Sequence, residues 1–225
     1  MIDGETSPST TTEAAARRIR QDVLTGTLAP GARLRLRSLA DRYAMGTTPL
    51  REALSRLAAE GFVHLEGQKG YSVPPLTRSH LLDITRTRQI LEPEALRLSV
   101  QHGDAAWEDG IVASLSLLQH QAAQQGQAGS EWSDDFETKH RRFHTALIAA
   151  CPLPQLLRFC GELYVQSTRY RRVMRTSIAP ATHADLTHEA IAGLALKRDA
   201  MAAADSLRRH VGVAADGVLH LFASP

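Results

Sequence analysis

The chain has 225 residues, 43% apolar and 22% charged, with a formal net charge of +2. That length accommodates two modest domains, each with its own core, and no apolar run approaches the ~20 residues a membrane-spanning helix requires. Two cysteines, Cys151 and Cys160, are too few for a disulfide framework and fit a reducing compartment, and the opening MIDGETSPSTTT lacks the basic start and apolar run of a secretion signal, so a cytoplasmic location is expected.

The charge is unevenly spread. Residues 1–75 carry ten Lys/Arg against eight Asp/Glu, whereas residues 76–225 hold sixteen of each. Between residues 33 and 56, six arginines (33, 35, 37, 42, 51 and 56) face only Asp41 and Glu52. A local basic surface of this kind suits a phosphate backbone.

Residues 1–10 are rich in Ser, Thr and Gly and predict a flexible tail. Helical periodicity begins near Thr12, with Ala15, Ile19, Val23 and Leu24 on one stripe, and Gly26 ends it. Pro30 and Gly31 mark a turn. Leu36, Leu39, Ala40 and Tyr43 predict a short helix broken by Met45 and Gly46. Thr47 and Thr48 are then expected to cap a second helix with Pro49 at its first position, running through Ala53, Leu54, Leu57 and Ala58 to Gly61. Two β-type runs, residues 62–65 and 71–73, flank a Gly-punctuated tip. Helix, turn, capped helix and hairpin predict a winged helix-turn-helix over residues 11–75.

Pro74 and Pro75 form a stiff connector. Everything after Arg78 reads as helix: residues 79–102, 105–124, 131–151, 154–176, 182–196 and 199–222, with breaks at 126–129, 152–154 and 179–180 and Asp199 capping the last. The fold class is therefore mainly α, an N-terminal winged helix-turn-helix followed by an all-α helical bundle over residues 76–225.

Arg51 falls on the first turn of the second helix, where a guanidinium can reach a guanine edge through two hydrogen bonds. Arg37 can grip phosphate, and the bland alternative for both is a solvated surface charge. In the bundle, His140 and His144 are four residues apart, so both imidazoles project from one helical face and can meet one metal ion; Glu137 shares that face. The chain holds ten histidines, so an accidental pairing is the competing reading.

Pro30 and Gly31 followed by Leu34, the Leu39-Ala40 pair, residues 49–54 (PLREAL), Arg56-Leu57, Glu60-Gly61 and the ending at residues 70–73 resemble the GntR transcriptional regulators in order and spacing. The resemblance implies that Arg37, Thr47, Thr48 and Arg51 lie at the DNA, with Lys69 in the wing. It also implies a homodimer on a palindromic double-stranded operator. One departure stands out: where family members have Ser/Thr-Arg-Thr before the proline, this chain has Gly46, Thr47 and Thr48.

The second half resembles the FCD ligand-binding domain of FadR-like members through residues 88–92, residues 143–147, residues 188–191 with Asp199 and Ala203, and His210. The resemblance implies a divalent metal held by His144, His188 and His210, with His140 standing where relatives have an Asp and Glu137 as the alternative fourth ligand. An all-imidazole set favours Zn or Ni over Mn, because imidazole suits the former and carboxylate the latter. A small organic acid effector, gripped by Arg88 near the metal, follows from the same resemblance; the alternative for Arg88 is a helical pair with Glu92. The run over residues 170–175 is expected to be a solvated face. The implied function is a transcriptional repressor released by a small carboxylate. The competitors are a metal-responsive regulator without an organic effector and a His-rich metallohydrolase. Four imidazoles would close the coordination sphere that such a hydrolase needs open.

Overall fold

A computed structural model describes residues 10–67, 70–128, 133–174, 187–219 and 222. The chain divides into two compact units, Met1–Leu76 and Thr77–Pro225. Most of the expected tail lies outside the described residues, but Thr10 does not belong to it. Its side chain accepts from the Glu13 backbone N–H while Glu13 reaches back to the Thr10 N–H, a reciprocal cap that starts α1 (Thr11–Thr25). Gly26 ends α1 with φ 78°, a left-handed conformation that glycine adopts without a Cβ clash.

The first unit continues with β1 (Arg33–Leu34), α2 (Leu36–Tyr43), α3 (Thr47–Ala59), β2 (His64–Leu65) and β3 (Tyr71–Ser72). Ala15, Ile19, Leu50, Ala53, Leu54, Leu57 and Val73 are buried at 0–1% exposure, so the apolar stripes of α1 and α3 face one core. Polar ties fix the helices around it. Asp22 on α1 accepts from Arg42 Nε at 3.0 Å and Tyr43 Oη at 2.8 Å on α2, and Arg20 pairs with Glu60. The wing is a three-stranded antiparallel sheet in the order β1-β3-β2, with Arg33 and His64 both opposite Ser72. The expected hairpin is thus joined by a strand, β1, that sequence periodicity does not reveal.

Two details of α3 differ from the sequence-based expectation. The residue preceding the helix is Gly46, which offers no side-chain cap, and Thr47 and Thr48 are the first helical residues. Pro49 is therefore third in the helix, still within the first turn, where its missing N–H has no helical acceptor to lose.

The second unit, among the described residues, is all helix: α4 (Arg78–His102), α5 (Ala105–Ala128), α6 (Asp134–Leu147), α7 (Pro154–Met174), α8 (His188–Leu196) and α9 (Ala200–Leu219). α4 packs along α9 and α7, and α5 along α6 and α8. The expected break at residues 126–129 comes later, since α5 runs through Gly126 to Ala128. The expected break at 179–180 and the start of a helix at 182 lie outside the described residues. Asp199 does cap α9, accepting from the Ala202 N–H at 3.1 Å. Inside α4 sits Pro93. Gln89 of α4 meets Arg208 of α9 twice: its backbone carbonyl accepts from Arg208 Nε at 3.2 Å and its side-chain amide donates to the Arg208 carbonyl at 3.1 Å. Among the described residues no helix is long and apolar enough to cross a membrane.

The core of the bundle gathers Leu96, Val100, Trp107, Ile111, Phe143, Leu147, Ile191 and Leu207. Trp107 is held by its indole N–H, which donates to the Leu147 carbonyl at 3.2 Å. A Cβ placed on Gly103 would come within 2.2 Å of that ring and 2.8 Å of the Ser99 carbonyl oxygen. Gly103→Ala is therefore expected to lower stability by about 1–3 kcal/mol through forced displacement of a packed indole. Denaturant unfolding followed by tryptophan fluorescence measures this; an unchanged midpoint would show that the indole is free to move.

Candidate functional site

In the first unit the basic face is assembled from α2 and the start of α3. Leu50, Ala53, Leu54 and Leu57 point inward, which leaves Thr47, Thr48 and Arg51 exposed on the opposite side of the same helix. Arg37, on the first turn of α2, is also exposed. Arg42 and Arg56 are taken up by Asp22 and Glu60 at 3.0 Å each. Arg37 and Arg51 make no ion pair among the described residues, and the hydroxyls of Thr47 and Thr48 have no hydrogen-bond partner there. The structure thus separates arginines that brace the fold from those left facing solvent. Lys69, the residue assigned to the wing tip, lies outside the described residues.

In the second unit four imidazoles converge from three helices: His140 and His144 on α6, His188 at the start of α8 and His210 on α9. One ring nitrogen from each lies within 4.8 Å of the others. Ring centroids are 4.5 Å apart for His140 and His144, 4.9 Å for His140 and His188, and 4.7 Å for His188 and His210. Four nitrogens held tetrahedrally at ~2.1 Å from one ion stand ~3.4 Å apart, so these rings would share a centre only by drawing together. Burial, reinforced by the neighbouring imidazoles, pushes His140 and His144 well below the ordinary histidine range. Burial, with His210 beside it, brings His188 down to about 3. All three are neutral at pH 7, the form in which an imidazole nitrogen offers a lone pair. The Nε2 atoms of His144 and His188 are buried and have no hydrogen-bond partner among the described residues. Buried polar atoms without a partner are costly in a folded protein, and a cation would satisfy both as lone-pair donors at once.

Glu137 does not join this set. Its carboxylate accepts from Arg171 Nη2 at 2.7 Å, Thr168 Oγ1 at 2.9 Å and Tyr164 Oη at 3.0 Å, and it is only 3% exposed. His140, rather than Glu137, stands beside the other three histidines. The expected solvated face over residues 170–175 is likewise corrected: Tyr170 and Arg171 are buried, as is Arg169 before them, while Arg175 lies outside the described residues. Burial alone opposes a charge on Arg171, but the Glu137 carboxylate holds the guanidinium protonated and raises its pKa. Tyr164, Ser167, Thr168 and Arg171, which complete the site, follow three and four spacings along α7. That polar stripe is the signal that would have revealed them in the sequence.

Arg88 is buried, and its fork is filled within the fold. Nε and Nη2 donate to the two carboxylate oxygens of Glu92 at 2.6 and 3.2 Å, and Nη1 donates to Ser167 Oγ at 2.9 Å. The helical pair with Glu92 is thus formed. Next to the histidines lies a cavity of about 360 Å³ lined by His144, Arg141, Thr145, Glu92, Tyr164 and Cys160. Arg141 is exposed at this cavity and makes no ion pair among the described residues; sequence reasoning had not singled it out.

Residues 11–73 match the model of bacterial regulatory proteins of the gntR family, and residues 83–213 match the FCD domain. The chain belongs to the GntR family. An uncharacterised HTH-type transcriptional regulator, BphR of Paraburkholderia xenovorans, is 39% identical over 203 residues, 88% of this chain and 81% of that protein. The HTH-type transcriptional repressor GlaR of Escherichia coli is 33% identical over 197 residues, 86% of this chain and 89% of its own length. Among solved structures, that of E. coli McbR/YncC superimposes with a TM-score of 0.75 at 22% identity, covering 96% of this chain and all of that one, which supports the fold. This GntR protein is a DNA-binding transcriptional regulator and not an enzyme, since its domains and relatives are those of regulators.

The depressed histidines also bear on stability. Because the unfolded chain binds protons near pH 6.5 while the folded imidazoles do not, the stability they permit is fully present above 6.5 and is lost as pH falls toward their folded pKa values. Thermal unfolding of the metal-free protein should therefore show falling stability below pH 6.5, by up to about 1.4 kcal/mol per pH unit for each imidazole. His188→Gln should shallow that slope, and an equally steep slope in the variant would contradict the assignment.

Proposed function

We propose that this GntR-family chain is a metal-dependent repressor that leaves its operator when a small carboxylate binds beside a divalent ion in the second unit. His140, His144, His188 and His210 hold the ion. The observation that carries this reading is the pair of buried Nε2 atoms on His144 and His188 with no hydrogen-bond partner among the described residues, His144 also lining a cavity of about 360 Å³. An all-imidazole ligand set favours Zn or Ni. With no carboxylate among the ligands, a bound cation keeps its full positive charge, which draws an anion into the cavity. Arg141, exposed at that cavity, is placed to receive a carboxylate. Arg88 is already paired with Glu92 and Ser167, so it supports the site by holding Tyr164 rather than by gripping the effector. Repression is in keeping with the described role of GlaR, a relative at 33% identity.

At the DNA, Arg51 reads a base edge, Thr47 and Thr48 approach the groove with short side chains, and Arg37 meets phosphate. A single recognition helix buries too little surface for useful specificity, so the working unit is a homodimer on a two-fold operator. The effector shifts the placement of the two heads by no more than its differential affinity for the two arrangements.

Protein purified without chelators or a His tag should contain stoichiometric Zn or Ni by elemental analysis, and His188→Ala should lose it. In a thermal-shift screen, small organic acids should stabilise the metal-loaded wild type and leave the metal-free protein unmoved. Stabilisation by metal with no response to any acid would favour the second reading, a regulator that senses the metal itself. Arg51→Ala should weaken operator binding by about 1–3 kcal/mol and relax preference at one base pair in a mobility-shift series. A change confined to the salt dependence would instead mark Arg51 as a phosphate contact.

A further inference from the structure

Behind the four imidazoles stands a set of hydrogen bonds that determines which nitrogen of His140 carries the lone pair. Tyr164 Oη lies 2.5 Å from His140 Nδ1 and 3.0 Å from Glu137 Oε1. Glu137, paired with Arg171, is a carboxylate with no proton to give, so the phenol donates to it. A phenol has one proton. Toward His140 its oxygen is therefore the acceptor, and Nδ1 must carry the ring hydrogen. That leaves Nε2 as the nitrogen with a lone pair.

We propose that Tyr164 is a positioning residue for the metal: it locks His140 in the Nδ1–H tautomer and turns Nε2 toward the other three histidines. This rests on the metal reading above. The ring of Tyr164 is itself held in place, with the guanidinium carbons of Arg88 and Arg171 each 5.2 Å from its centroid. The phenol stays protonated because burial, and then the Glu137 charge, raises its pKa well above the ordinary range. Since Arg171 offsets Glu137, the relay orients a ligand and sharpens its donor atom without neutralising the ion. A histidine whose tautomer is enforced in this way serves where an aspartate would need no such support, because a carboxylate has two equivalent oxygens and no tautomer to choose.

Nitrogen NMR of the full-length, metal-free protein with isotope-labelled histidine reads the tautomer directly. The expected result is Nδ1–H at His140 in the wild type, with the lock relaxed in Tyr164→Phe. Zinc competition against a chromophoric chelator should show Tyr164→Phe binding about 10- to 100-fold more weakly. In a His140→Ala background the same substitution should cost nothing further, because Tyr164 acts through His140. Nε2–H at His140 in the wild type overturns the inference, and this measurement decides even if Tyr164→Phe does not fold. Undiminished zinc affinity in a folded Tyr164→Phe, or an equal loss in both backgrounds, also overturns it. No zinc uptake by the wild type overturns the metal reading and this inference with it, whereas uptake that Tyr164→Phe leaves unchanged overturns this inference alone.

Discussion

The buried ion pair between Glu137 and Arg171 is the constraint around which the second unit is arranged. A carboxylate at 3% exposure is costly unless it is matched and fully hydrogen-bonded, and here it has a guanidinium, a threonine and a tyrosine around it. Those partners all come from α7, so satisfying one charge on α6 fixes the rotation and depth of a neighbouring helix. The same contacts bring Tyr164 against His140, and the imidazole cluster inherits its geometry from an electrostatic requirement one layer away. Arg88 and Glu92 repeat the arrangement on α4, with Ser167 shared between the two arginines. A balanced polar layer of this kind favours one arrangement of α4, α6 and α7 over others that would leave a charge unpaired.

The first unit divides its arginines differently. Those that face acids across α1, α2 and α3 hold the head together, and those without such partners make its basic surface. Both kinds read identically as residue types. The distinction depends on where Asp22 and Glu60 fall once α1 packs on α3, and it shows that a charge count over residues 33–56 overstates the number of arginines available to a ligand.

How far the sequence exposed this architecture varied with the range of the interactions involved. Local signals worked: Gly26 as a left-handed terminator, Asp199 as a cap, the inward stripe of α3 and the four-residue spacing of His140 and His144 are all set within one or two helical turns. Signals that compete locally were less exact. Thr47 and Thr48 have the right chemistry for a cap, yet Gly46 takes that place, and Gly126 did not end α5. Long-range effects were not legible. The two-residue strand β1 exists only because β3 returns beside it, and the polar stripe of α7 passed for surface because arginines usually are surface, while the acid that buries Arg171 is 34 positions away. The histidines of the candidate site were readable; the tyrosine and arginine behind them were not.

Pro93 gives α4 a further role. A proline in a helix has no N–H to offer the carbonyl four residues earlier, and that carbonyl belongs to Gln89. Arg208 of α9 fills the vacancy, and the Gln89 amide answers by binding the Arg208 carbonyl. Gly212 leaves space for the crossing, since a Cβ there would meet the Gln89 amide nitrogen at 2.7 Å. A break in one helix thereby becomes a peg that sets how far its neighbour can slide. His210 lies between Arg208 and Gly212, so the missing proton of an imino acid on one helix fixes the axial position of an imidazole on another.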